Sequence, residues 1–359
     1  MYESGIAGQY VSALCSEIKV WPEVEQPSFV DTIYFGGGTP SLLEPTQIAR
    51  ILNSIKDRFE VGDSAEITLE INPGDGGASA ASRRESMSQW LTAGINRASF
   101  GAQTFDDHDL KQLGRTHSAA DISSTFQQLR DAGFANINFD LIAGLPGQTL
   151  DGWKRNLEAA LQLRPEHLSL YLLDVHEGTP LADQIKGGMR PKPDDDLAGE
   201  MYTTMIEAVC AAGYEHYEIS NFSLPGFESR HNTKYWSGGA YYGFGCSAHS
   251  YDGARRRWAN EREPAKYVEM IGRNGSPIVE RTNLSDEDAR SEWIFLGLRL
   301  MRGIDLRDYE ARFGKNLRSE YNGELDRLMA AGLIEIDSQS LKLTGRGALL
   351  SNEVFAALA

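Results

Sequence analysis

Five times between residues 31 and 173, a short run of β-branched and aromatic residues gives way to a longer segment with helical apolar spacing. The runs are DTIYF (31–35), EITLEI (66–71), RASFGAQ (97–103), NINFDLI (136–142) and HLSLYLL (167–173). Amphipathic stretches such as PTQIARILNSIKDRF (45–59), DISSTFQQLRDAGF (121–134) and LDGWKRNLEAALQLR (150–164) lie between them. A strand that returns through a helix must run parallel to its predecessor, so the rhythm predicts an α/β sheet or barrel. The unusual sequence falls where each strand ends: GGGTP, NPGD, QT, AGLPGQT and DVHEGTP. Any one of these can simply turn the chain. Five at equivalent positions predict one site, because such folds build their sites at the carboxyl ends of the strands.

The rhythm stops near residue 215, which predicts a barrel unit over 1–215. A segment over 216–284 follows, rich in aromatics, glycine and histidine, with HYEISNFSL and SRHNTKYWSGGAYYGFGCSAHSYDG. Over 285–359, SDEDARSEWIFLGLRLMRG, DLRDYEARFG and LRSEYNGELDRLMAAG read as helices, and LIEID and LKLTG as a hairpin turning at Ser338 and Gln339. Helices followed by a hairpin suggest a winged-helix-like α+β domain. The net charge of −16 argues against nucleic acid as a general partner, and the tail is itself slightly acidic, so packing or protein docking is its expected use.

The N-terminus lacks a cationic start followed by an apolar core, so no signal peptide is expected, and no stretch has the apolar length of a membrane span. Three scattered cysteines, Cys15, Cys210 and Cys246, give no disulfide framework and no CxxC pair, which fits a reducing cytoplasm. Cys15, within YVSALCSEI, reads as a helical core residue.

Single residues point to the chemistry. The glycines of YFGGGTP let a backbone approach a ligand, and successive amides can hold a carboxylate or phosphate. The run is neither a Rossmann GxGxxG nor a Walker loop, which leaves an amino-acid-like or nucleoside ligand open. Glu70 and Asp140 are acids at strand ends in apolar context, costly to bury unless paired or ligand-bound. Gln103 offers donor and acceptor, and Arg115 a planar fork for a carboxylate or phosphate. Structural pairing is the plainer alternative for each acid alone.

Taken in order, YFGGGTPS, EINPG, SFGAQTF with LGRTHS, and NFDLIAGLPGQT resemble the strand-end motifs of one subfamily of radical S-adenosylmethionine (SAM) proteins. It contains the oxygen-independent coproporphyrinogen III oxidases and the HemW-type haem chaperones, and the likeness covers almost all of residues 10–355. The resemblance implies a partial (β/α)6 TIM-like barrel. It also implies that Gly37, Gly38 and Thr39 contact the methionyl end of SAM, with Glu70, Gln103, Arg115 and Asp140 around it. HNTKYW (231–236) matches the HNxxYW motif of the HemW-type branch, and LTGRGALLSNEVFAAL is similar to its ending. By that resemblance His231 is the haem-iron ligand, and Tyr235 and Trp236 offer flat apolar surface to the porphyrin. A plain hydrogen bond to a neighbouring loop is the alternative for His231. His249 and Cys246 are weaker candidate ligands.

The chain departs from the family at one point. Radical SAM proteins hold a [4Fe–4S] cluster by a C-x3-C-x2-C motif after the first barrel strand, and this sequence has none. By the family pattern the missing piece is the first strand together with the whole cluster loop. Two readings follow: an N-terminally truncated form of a complete protein, which is the expectation, or a cluster-free member. The leading expectation is a cytoplasmic haem carrier that passes haem to an apo-protein acceptor, with SAM and the cluster in an intact form and with homodimerisation left open. As written the chain is not expected to perform radical chemistry. The alternatives are coproporphyrinogen III oxidation and a porphyrin-binding relative without catalysis.

Overall fold

The computed structural model describes residues 4–21, 29–74 and 80–358, so that Asp75 of the NPGD turn lies outside the described residues. Seven strands form the principal sheet: β1 (Phe29–Phe35), β2 (Glu60–Ile71), β3 (Arg97–Gln103), β4 (Ile137–Ala143), β5 (His167–Leu172), β6 (Glu215–Glu218) and β7 (Asn221–Ser223). Their order is β1-β2-β3-β4-β5-β7-β6, a curled half-barrel. Strands β2 to β5 pair in parallel, as the crossovers require, and β7 is antiparallel to both β5 and β6. The sheet therefore runs on to Ser223, past the point where the strand–helix rhythm ends.

The described residues divide into two compact units, those within 34–42 and 67–229 forming one and those within 4–33, 43–66 and 230–358 the other. Strands β1 and β2 run from one into the other. Helices α1 (Ser4–Val20) and α2 (Pro45–Arg58) precede β2. Helices α3 (Ala80–Ala93), α4 (Asp107–Gln112), α5 (Ala119–Ala132), α6 (Leu150–Leu163), α7 (Pro180–Lys186) and α8 (Asp195–Ala211) belong to the unit of 67–229. Local chemistry starts and stops them. Ser118 and Asp121 form a capping box at α5, Gly133 ends that helix at φ +108°, and Thr149 caps α6 through the Gly152 N–H.

Side chains alternate along the parallel strands. Leu69, Phe100, Phe139, Leu141, Leu168 and Leu170 form the apolar face, each fully buried. Phe139 meets Phe100 edge-on at 4.6 Å and Phe126 of α5 at 5.3 Å, the tilted geometry that aromatic quadrupoles favour. The opposite face carries Thr68, Ser99, Asn138, His167 and Ser169, and these too are at most 4% exposed. Both faces of the sheet are thus interior, one dry and one polar.

The other unit contains α9 (Arg230–Trp236), the strands β8 (His249–Tyr251), β9 (Arg256–Asn260) and β10 (Ile278–Asn283) in one antiparallel sheet, and α10 (Pro264–Asn274). Cys15 is buried in α1, as a core residue should be. Next to it in the fold, the buried Glu17 takes hydrogen bonds from the Tyr267 hydroxyl (2.5 Å), the Asn260 amide (2.7 Å) and the Gly245 N–H (2.8 Å). Burial raises its carboxyl pKa, and these three donors oppose the shift.

The tail holds α11 (Asp286–Leu298), β11 (Ile304–Asp305), α12 (Leu306–Phe313), α13 (Leu317–Glu320), α14 (Asn322–Ala330), β12 (Ile334–Ile336), β13 (Ser340–Leu343), α15 (Gly345–Leu349) and α16 (Ser351–Leu358). Helices followed by the β12–β13 hairpin agree with the winged-helix-like expectation. LRSEYNGELDRLMAAG differs, breaking at Tyr321 into two helices, α13 and α14. No helix among the described residues is long and apolar enough to cross a membrane.

Candidate functional site

The loop after β1 is shaped by what it must avoid. A Cβ at Gly36 would stand 2.8 Å from the Tyr34 ring and 3.1 Å from Glu70 Oε1, so only glycine fits without a shift. Tyr34 donates its hydroxyl to Glu70 Oε1 at 2.9 Å, and the Gly37 N–H donates to Oε2 at 3.1 Å. The Asn72 amide donates to Thr39 Oγ1. Glu70 therefore ties the β1 loop to the end of β2. Gln103, which ends β3, sits at φ +65°, a left-handed conformation that costs a non-glycine residue about 1 kcal/mol or more. Such strain persists only where surrounding structure imposes it. A side chain at Gly101 would strike the Gln103 amide.

These pieces enclose a cavity of about 250 Å³. Gly37, Thr39, Glu70, Gln103, Arg115 and Asp140 all line it, together with Ile71, Asn72, Ser99 and Gly101. Gly38 is not on its wall. Asp140 carries a proton more readily than an ordinary aspartate: burial pushes its pKa up to about 6, against the pull of Asn138, Ser169 and Arg97. Two carboxylates and a guanidinium around one small space suit a ligand bearing both an ammonium and a carboxylate.

Behind Asp140 lies a polar network. The Asn138 amide nitrogen donates to Asp140 Oδ1 (2.8 Å) and Ser99 Oγ (2.8 Å), and its oxygen meets His167 Nδ1 (2.6 Å). His167 Nε2 lies 2.7 Å from the Tyr217 hydroxyl. Burial, with the Arg97 charge, holds the His167 pKa well below its ordinary value, so the ring is neutral.

The HNTKYW segment forms α9, and its residues are held by β1 and β2. Glu66 accepts the backbone N–H of Arg230 on Oε2 and that of His231 on Oε1, both at 3.0 Å, filling the helix N-terminus with a carboxylate. Lys234 pairs with Asp31. Burial pushes the Asp31 carboxyl up, and the Lys234 hydrogen bond and charge more than reverse it, leaving the pKa below its usual value. The His231 ring lies between two hydroxyls, Nδ1 3.0 Å from Thr32 Oγ1 and Nε2 3.0 Å from Tyr235 Oη. Tyr235 stands edge-on to Tyr241 at 4.5 Å, and Trp236 lies under the Arg299 guanidinium at 4.3 Å. His249 is exposed on β8, and Cys246 is half-buried with its N–H on the Tyr10 hydroxyl.

Residues 21–160 match the model of the Radical SAM superfamily, and residues 284–350 that of the HemN C-terminal domain. The heme chaperone HemW of Bacillus subtilis is 36% identical over 351 residues, covering 97% of this chain and 90% of that protein. The chain belongs to the HemW family. Heme chaperone HemW of Mycobacterium tuberculosis is 34% identical over 350 residues, with 98% and 86% covered. Radical S-adenosyl methionine domain-containing protein 1, mitochondrial, of Bos taurus is 33% identical over 339 residues, with 92% and 75% covered. Among solved structures, coproporphyrinogen III oxidase (HemN) from Escherichia coli superposes with a TM-score of 0.83 at 23% identity, over 100% of this chain and 84% of that one. That likeness speaks for the fold alone.

The residues of this HemW-family chain do not fit the superfamily's iron–sulfur cluster. Cys15 is buried, Cys210 exposed and Cys246 intermediate, and none has the spacing of a cluster loop. Among the described residues no group of three His, Cys, Asp or Glu side chains could hold a metal ion.

The residues that position the named ones carry no local mark in the sequence. Tyr34, Asn72 and Gly101 shape the cavity, and Thr32, Asp31 and Glu66 fix α9. Glu66 and Asp31 sit in strand runs where a lone acid reads as a solvent-facing position, so only the fold reveals their partners.

Proposed function

We propose that this chain is a haem chaperone that binds haem through His231 and hands it to an apo-protein acceptor in the cytoplasm. The supporting observation is the clamp on His231. Its backbone is fixed by Glu66 and its ring by Thr32, so that Nε2, a standard axial donor for haem iron, is presented on a rigid helix. The HemW names of its relatives agree with this reading. The fold shared with HemN is neutral between haem handling and coproporphyrinogen oxidation.

The cavity at the strand ends fits the amino-acid end of SAM. Glu70 and Asp140 would face the ammonium, Arg115 the carboxylate, and Gly37, Thr39 and Gln103 the polar edges between them. When bound, SAM is the superfamily's source of a radical once a cluster supplies an electron. Here the chain's own residues bind and orient the ligand, and Asp140 holds or releases a proton on its carboxylate.

Hemin titration tests the first part. The wild-type chain should give a saturable Soret band at one haem per chain, and His231→Ala should lose it. An unchanged band in His231→Ala would remove His231 as the ligand. For the second part, calorimetry with SAM should show binding that Arg115→Ala and Glu70→Gln weaken, and equal affinity in both variants would count against the cavity.

A further inference from the structure

The two hydroxyls on His231 do different jobs. A neutral imidazole has one N–H and one lone pair, so one flanking hydroxyl must accept and the other must donate. A phenol is the stronger donor of the two. Tyr235 therefore gives its proton to Nε2, and Nδ1–H points to Thr32 Oγ1, both at 3.0 Å. That is the tautomer of a metal-bound imidazole, with one nitrogen held by an outer oxygen and the other's lone pair directed outward. The Tyr235 hydroxyl stands where iron would bind. The cap is built by the helix itself, because positions 231 and 235 are one turn apart on one face of α9.

We propose that the Tyr235 hydroxyl competes with haem iron for the Nε2 lone pair of His231, so that Tyr235 is a positioning residue that keeps the empty ligand satisfied and assists release. The proposal rests on His231 as the haem ligand. Loading breaks the Tyr235–His231 hydrogen bond and unloading restores it. A carrier whose emptied ligand is immediately re-bonded gives up its cargo more readily than one left with an orphan nitrogen. The Tyr235 oxygen, 3.0 Å from Nε2, stands on the axis the iron would take, so loading has to swing the Tyr235 side chain aside and unloading lets it return to its edge contact with Tyr241.

The test is hemin binding and hemin loss in the full chain, with apomyoglobin as haem scavenger, for wild type, Tyr235→Phe, Thr32→Val, His231→Ala and the Tyr235→Phe/His231→Ala double variant. Tyr235→Phe should bind hemin about three- to tenfold more tightly, the fold-change of one neutral hydrogen bond, and release it more slowly with the Soret maximum unmoved. Thr32→Val, which removes the orienting partner and leaves the cap, should bind more weakly. The double variant should show no gain over His231→Ala. Unchanged or weaker binding in Tyr235→Phe overturns the cap, as does a shifted Soret maximum, which would make the phenol itself a ligand. A His231→Ala protein with the wild-type band would instead overturn the ligand assignment. Loss of that band together with an unaltered Tyr235→Phe would overturn the cap alone.

Discussion

Glu66 Oε1 accepts the backbone N–H of His231 at 3.0 Å, while its other oxygen accepts that of Arg230. A residue of β2 thus fixes the peptide of a residue 165 positions later. Two charge-assisted hydrogen bonds to a buried carboxylate are worth about 3 kcal/mol together. Glu66→Ala should cost about 2–4 kcal/mol in urea unfolding, and Glu66→Gln, which keeps one acceptor, roughly half as much. Equal stability for Glu66→Ala and wild type would show that α9 docks without its cap.

Asp140 should trade stability for binding. Its folded pKa of about 6 lies above the ordinary 3.8. The folded chain therefore holds this proton more tightly than the unfolded one. The stability that goes with it is present below pH 3.8 and is lost as pH rises through 6. Asp140→Asn is expected to be about 1–3 kcal/mol more stable than wild type at pH 7.5, with the gain vanishing near pH 4. Denaturant unfolding at the two pH values checks it. A gain that persists in acid would assign the effect to packing.

SAM affinity should fall in the same window, because protonating Asp140 removes a negative charge from the cavity wall. Calorimetric titration at pH 7.5 and 5 is expected to give weaker binding in acid for wild type and a smaller difference for Asp140→Asn. Parallel pH profiles would place the responsible group elsewhere.

Gly347 should tolerate no side chain. A Cβ there would fall on the Leu333 carbonyl, a backbone atom that cannot swing aside. Gly347→Ala should cost about 3 kcal/mol or more, seen as early unfolding of the tail in hydrogen exchange. Exchange rates equal to wild type would mean that α15 and β12 can separate freely.

Anaerobic incubation with ferrous iron and sulfide should leave this 359-residue chain without iron and sulfide in cluster stoichiometry. Replacing Cys15, Cys210 and Cys246 together by serine should not alter its hemin spectrum. A stable cluster on this chain would point to ligands other than a cysteine triad.

The strand–helix rhythm was legible because DTIYF, RASFGAQ and HLSLYLL pair β-branched or aromatic content with alternation, and their boundaries fall within a residue or two of the strands. Two cavity residues were legible for a related reason: Glu70 and Gln103 stand at strand ends. Asp140, expected at a strand end, lies instead in the middle of β4, on the polar face that the sheet buries. What stayed hidden depends on closure. Thr68, Ser99, Asn138 and His167 alternate with apolar residues just as a water-facing row would, and only the curl of the sheet buries them. Thr32 and Glu66 carry no local mark of a partner near residue 231. Helices α7 and α8 were findable, since Thr179 before Pro180 and Asp194 before an apolar-periodic run are ordinary start signals.

The network behind Asp140 has a sense of direction. Asn138 turns its oxygen toward His167, which must then carry its proton on Nδ1 and take the Tyr217 proton on Nε2. Its amide nitrogen points the other way, to Asp140. Even the Ser229 N–H feeds the line at the Tyr217 oxygen. Every hydrogen along it faces the same end, so the links polarise one another. The polar face of the sheet is in effect a row of aligned dipoles with its positive tip on one carboxylate, a fixed electric field laid down when the strands paired.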